Sequence, residues 1–97
     1  MGTLTGKVAW ITGAGTGIGR AGARALAAAG ATTVLSGRRS AELEKVAASI
    51  TDAGGSAEVE SLDIVNRPAV DEVMQGIVGR HGRIDMPVNS AGLNVPN

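Results

Sequence analysis

The chain lacks cysteine altogether and has one aromatic residue, Trp10, with neither tyrosine nor phenylalanine among its 97 residues. Without thiols it forms no disulfide and no thiolate metal site. Without aromatic bulk, its core has to be assembled from Val, Ile, Leu, Met and many alanines. Charge of either sign is in no excess, since nine Lys and Arg balance nine Asp and Glu. That balance removes the long-range attraction by which proteins hold nucleic acid or an anionic membrane. Long apolar runs are missing as well, none approaching the roughly 18 residues of a membrane-spanning helix. Met1 to Lys7 contain no apolar stretch of the secretory kind, and Gly6 breaks the acylation pattern that wants Ser or Thr there. The expectation is one cytoplasmic domain, residues 1–97, with no nucleic-acid and no membrane partner. A chain of this length buries somewhat over about 60% of its unfolded surface, so its core is modest.

What the chain has in quantity is glycine, 15 residues, and alternating hydrophobic periods. Residues 7–13 read as a buried strand. Ile18, Ala21, Ala25, Leu26 and Ala29 follow near helical spacing, with Gly30 as the stop. Residues 32–35 are β-branched and short, a second strand. Ser40 reads as the cap of a helix whose stripe is Leu43, Val46, Ala47 and Ile50, ended by Gly54 and Gly55. Residues 57–62 form a third strand with charged residues alternating in it. Asn66 caps a third helix over 67–79, with Pro68 in its first turn and Val70, Val73, Met74 and Ile77 as its stripe. A turn at 79–82 leads to a fourth strand over 84–89. Strands joined through helices demand a parallel sheet with right-handed crossovers.

Thr12-Gly13-Ala14-Gly15-Thr16-Gly17-Ile18-Gly19 falls between the first strand and the first helix. Glycines there admit positive φ and let the backbone approach a ligand. The helix behind them offers unpaired N–H groups and a positive dipole end to an anion. A literal Gly-x-Gly-x-x-Gly at Gly17, Gly19 and Gly22 begins too late to make the strand-to-helix turn and reads as accidental. A P-loop is excluded because no Lys-Ser/Thr follows the glycines. In this position the Thr-Gly-x-x-x-Gly-x-Gly spacing resembles the short-chain dehydrogenase/reductase (SDR) family, in its ordinary rather than extended branch. The fold it implies is an α/β one, the first portion of a Rossmann-type doubly wound parallel sheet with four strands and three helices. The function it implies is an NAD(P)-dependent oxidoreductase, exchanging hydride between a nicotinamide and a carbonyl or alcohol.

The resemblance assigns further residues. Gly13, Gly15, Thr16, Gly17, Ile18 and Gly19 would line the pyrophosphate. The second strand ends Ser36-Gly37-Arg38-Arg39, and Gly37 stands where NAD-using domains place an acid for the ribose 2′-hydroxyl. Arg38 occupies the position of the basic residue in NADP-using relatives, with Arg39 beside it. Two cations near the start of the next helix oppose its dipole by about 0.3–1 kcal/mol each, a conflict that a bound 2′-phosphate relieves. The basic residue that many NADP-using members carry inside the loop is Thr16 in this chain. NADP is therefore favoured, with NAD as the alternative. Asp63 would accept the adenine amino group and Ile64 pack on the ring, while Asp63 also suits an Asx turn into Asn66. Asn89, Ala91 and Gly92 resemble the family's Asn-Asn-Ala-Gly beside the ribose and nicotinamide, with Ser90 replacing the second Asn. Pro87 departs from the pattern by removing a donor inside an expected central strand. His81 is assigned no role.

In this family a Tyr, a Lys and a Ser carry the chemistry and follow the fourth strand. The chain has no tyrosine, and none of its residues takes the place of the proton donor that the reaction requires. It therefore reads as the amino-terminal, cofactor-binding part of an SDR enzyme, inactive alone. Its partners are expected to be the dinucleotide and, through an exposed sheet edge, copies of itself or other SDR subunits. A non-catalytic dinucleotide binder and a docking paralogue stay open as alternatives.

Overall fold

A computed structural model describes residues 3–15 and 17–89. Its elements run β1 (Val8–Thr12), α1 (Gly17–Ala28), β2 (Thr32–Gly37), α2 (Ser40–Asp52), β3 (Ser56–Ser61), α3 (Arg67–His81) and β4 (Met86–Asn89). Every strand pair is parallel, and the four strands lie in the order β3-β2-β1-β4. The order doubles back at β1, because the chain steps outward to β2 and β3 and then returns to β1's other side. This is the doubly wound α/β Rossmann arrangement, and the reversal creates a crevice at the carboxyl ends of the strands.

Strand alternation divides the core. Ala9, Ile11 and Leu35 face α1 and α2 with Leu43, Val46 and Ile50. Val8, Trp10 and Val34 face α3 with Leu62 and Ile77. β1 is buried at every position because both of its faces are covered. No helix among the described residues is long and apolar enough to cross a membrane.

Several boundaries differ from the sequence-based expectation. On α1 the buried positions are Gly19, Ala23 and Ala27, not Ile18, Ala21 and Ala25. The helix lies so close to the sheet that only the smallest residues fit beneath it, and Ile18 is left 54% exposed. α2 starts at Ser40, and Arg39 is the cap residue without a side-chain hydrogen bond. Leu43, fully buried in that first turn, fixes where the helix begins, so Ser40 is not the cap. The expected turn at 79–82 is helix as far as His81, and Gly82 ends it at φ 81 with its N–H on Val78 O. The fourth strand is shorter than expected, starting at Met86. Before it, Asp85 is held to β1 by reciprocal bonds, its N–H to Val8 O and Val8 N–H to its Oδ2, both 2.8 Å.

Pro87 does not interrupt the pairing of β4 with β1. It stands opposite Trp10, and in a parallel pair only one of two opposed residues makes both ladder bonds. A proline nitrogen cannot be that partner, so Met86 and Val88 carry the pairing and Pro87 turns its nitrogen away from β1. The β1–β4 ladder loses no donor. The Asn66 cap is as expected, its Oδ1 accepting Ala69 N–H at 3.2 Å with Pro in the first turn.

Candidate functional site

The site starts at the end of β1. The N–H groups of Gly13 and Ala14 both reach Ser36 O, at 2.9 and 3.2 Å, tying the glycine loop to the end of β2. Gly13 has φ 73 and Gly17 φ 40, left-handed values that turn the chain from the strand into α1. The first turn of α1 contains no acid, so no side-chain charge offsets its positive end. Gly15 packs on α2: a Cβ there would meet Glu42 Cβ at 3.2 Å and a Leu43 methyl at 3.7 Å. Gly22 lies inside α1 with open space where its Cβ would be, in keeping with the accidental second motif.

The ends of β2 and β3 close the same crevice. Leu62 N–H bonds Gly37 O at 2.8 Å, which brings the 62–65 loop beside Arg38. Asp63 makes the Asx turn, Oδ1 accepting Val65 N–H at 3.2 Å while its carbonyl takes Asn66 N–H at 2.9 Å. Asp63 Oδ2 has no protein partner among the described residues. At the other end, the Thr12 hydroxyl lies 3.0 Å from Asn89 Oδ1 and 3.3 Å from Val88 O, latching β1 to β4.

These loops enclose a hollow of about 250 Å³ lined by Thr12, Gly13, Ser36, Gly37, Arg38, Leu62, Asp63, Ile64 and Val65. Of the expected residues, Gly13, Arg38, Asp63 and Ile64 thus converge on one cavity. A neighbouring hollow of about 290 Å³ takes in Gly15, Arg38 and Arg39. Gly17 and Ile18 are exposed at the start of α1, Gly19 is buried under it, and Asn89 borders an apolar recess beside Trp10 and Pro87. Thr16, Ala91 and Gly92, like Ser90, lie outside the described residues. Sequence reasoning missed Ser36 and Val65. Ser36 is a buried serine whose Oγ accepts the Trp10 indole N–H at 2.9 Å, and no pattern in the chain marks it.

A larger hollow of about 420 Å³ opens near Arg24, Ser49, Gly54 and Gly55. It sits where α1 and α2 end, so helix carbonyls rather than N–H groups gather there. That polarity suits no phosphate. The crevice at the carboxyl edge has the opposite polarity, and neither Arg38 nor Arg39 forms an ion pair among the described residues.

A profile of the family described as short chain dehydrogenase matches residues 7–97. The chain belongs to this family. Among curated short chain dehydrogenase relatives and others, a fatty acyl-CoA reductase of Acinetobacter baylyi is 40% identical over 92 residues, covering 95% of this chain and 31% of that protein. A 3beta-hydroxysteroid dehydrogenase of Mediterraneibacter gnavus is 39% identical over 96% of this chain and 34% of its own length. The chain therefore spans about a third of these relatives. A solved citronellol catabolism dehydrogenase of Pseudomonas aeruginosa superposes with TM-score 0.88 at 41% identity, over 91% of this chain and 37% of that one. A metagenomic short-chain oxidoreductase in complex with NADP superposes with TM-score 0.85 at 40% identity, over 87% and 38%.

Proposed function

We propose that these residues form the coenzyme-binding part of a cytoplasmic oxidoreductase that uses NADP(H) in preference to NAD(H) and acts between a carbonyl and an alcohol. The observation that carries the reading is Arg38: a guanidinium just past the end of β2, on the wall of the crevice and without an ion pair among the described residues, next to Gly37, which stands where an NAD-using domain wants an acid. The NADP held by a solved neighbour supports it.

The residues present fit such a dinucleotide. The loop from Gly13 through Gly15, Thr16, Gly17 and Ile18 to Gly19, with the uncompensated start of α1, suits a pyrophosphate. Arg38, helped by Arg39, suits a 2′-phosphate through charge-assisted bonds. The second oxygen of Asp63 suits an adenine amino group, with Ile64 against the ring. Asn89, Ala91 and Gly92 are assigned to the ribose and nicotinamide side. When bound, the dinucleotide supplies or takes up the hydride. This chain's contribution is to hold and orient it, and no catalytic group is assigned within it.

The single tryptophan provides the assay, since its emission overlaps dihydronicotinamide absorption. Titration followed by Trp10 quenching should give a lower Kd for NADPH than for NADH. Arg38→Ala should erase the difference, at a cost of roughly tenfold or more to NADPH for one lost charge-assisted bond. Equal affinity of the unaltered chain for both coenzymes would overturn the NADP assignment. Absence of binding to either would overturn the site.

A further inference from the structure

Beside Arg38 the chain places a charge of the wrong sign for a phosphate. The hollow of about 290 Å³ lined by Arg38 and Arg39 is also lined by Glu42. The position of Glu42 is fixed by its backbone, in the first turn of α2 with its N–H on Arg39 O at 3.1 Å. It is also fixed by Gly15, whose missing side chain leaves the Glu42 Cβ packed on the glycine loop. A carboxylate lining the same hollow as two guanidinium groups that have no ion pair among the described residues could pair with one of them. Instead its Oε2 lies 3.6 Å from Lys45 Nζ, one turn along the helix, and makes no ion pair with either arginine among the described residues.

We infer that Glu42 is a specificity-determining residue, which weakens a nucleotide carrying a 2′-phosphate relative to one carrying a 2′-hydroxyl. Lys45 is the positioning residue that draws its carboxylate away from the arginines. The inference rests on the NADP reading of Arg38. A phosphate dianion entering between Arg38 and Arg39 comes under the field of the Glu42 carboxylate, whereas a hydroxyl is neutral and can donate to it. The preference of the site is thus a balance between two cations and one anion, set lower than the arginine pair alone would set it.

The test uses adenosine 2′,5′-bisphosphate and adenosine 5′-monophosphate, which differ only at the 2′ position and engage only the adenosine end of the crevice. Glu42→Gln keeps the shape and removes the charge. It should tighten the bisphosphate by about three- to tenfold at low ionic strength, a gain that shrinks as salt is raised, and change the monophosphate by less than about twofold. Lys45→Gln should shift the bisphosphate the opposite way. Glu44→Gln, the same charge change on an exposed position of the same helix, should leave the ratio of the two affinities within about twofold. The inference is overturned if Glu42→Gln behaves like Glu44→Gln, or if it strengthens both nucleotides equally. If Arg38→Ala leaves the distinction between the two probes intact, or if neither the unaltered chain nor Glu42→Gln distinguishes them, the Arg38 assignment fails instead.

Discussion

Against α1 and α2 the sheet is covered by small side chains, with Ala9, Ala14, Ala23, Ala27, Ala31 and Ala47 buried among Ile11, Leu35, Leu43, Val46 and Ile50. Against α3 the cover is larger, sparser and partly ionic. Val8, Trp10, Val34, Leu62 and Ile77 make its buried centre, while Met74 and Val78 stay 40% and 44% exposed. On β3, Ala57 and Val59 pack toward the alanine-rich face, and the alternate positions are Glu58 and Glu60, met by Arg80 and His81 from the end of α3. Small side chains let the helix backbones lie near the sheet on one face, and the other face combines apolar contact with charge.

Replacing Leu43 by Ala should break the first face most severely. Leu43 is fully buried, and one of its methyls reaches within 3.6 and 3.7 Å of where side chains on Gly37 and Gly15 would start. Its truncation should cost about 3–5 kcal/mol in urea unfolding. On the proposed site it should also weaken nucleotide binding, since the loops at Gly15 and Gly37 both lose their support. Ile77→Ala, equally buried on the α3 face, should cost about 2–4 kcal/mol, because thinner cover relaxes into the gap more easily. Its folded form should bind nucleotide as the unaltered chain does. Equal damage to binding by both variants would remove the distinction between the faces.

A growth in volume tests the same difference from the other side. Ala27→Leu forces extra methylenes beneath α1 and should destabilise by about 1–3 kcal/mol. Val73→Leu, at a half-buried place on α3, should change stability by less than about 1 kcal/mol. If Ala27→Leu is as well tolerated as Val73→Leu, the alanines are not there for close approach.

The same contrast explains what could be read from the chain. The stripe of α2 was legible because Leu43, Val46 and Ile50 are large and apolar, and the glycine loop because its turn needs residues that only glycine supplies. The face of α1 was not, because its buried positions are glycine and alanine. Hydrophobic periodicity therefore pointed to Ile18, which faces solvent. Arg38, Asp63 and Ile64 were reached through the family resemblance, and they meet because the parallel strands β2 and β3 end at one edge. Ser36 and Glu42 could not, since each enters its hollow through packing: Ser36 by the Trp10 indole bond and Glu42 by the absent side chain of Gly15. Which side of β4 loses a donor at Pro87 could not be read from the chain, because it depends on register rather than composition.

The ionic part of the second region predicts a pH dependence that the alanine-rich face should lack. The Val8 N–H holds the Asp85 carboxyl below its usual range, outweighing desolvation, and Arg83 adds to the effect with contacts of 2.8 and 2.9 Å. Burial pushes Glu58 up, but His81 and Arg80 beside it outweigh that and leave it lowered too. A carboxylate with a depressed folded pKa contributes stability that is complete above its unfolded pKa and is lost as pH falls through the folded value. Both contributions should therefore be intact at neutral pH and disappear below about pH 4. In urea unfolding followed from pH 7 down to about pH 2.5, Asp85→Asn should lower the midpoint at neutral pH and flatten its acid decline. Glu58→Gln should do the same more weakly, because that group is about a third exposed and exposed ion pairs contribute little. Leu43→Ala should shift the whole curve down without altering its slope. An acid decline unchanged by Asp85→Asn would mean that the β4 end of the α3 face is not held by this carboxylate.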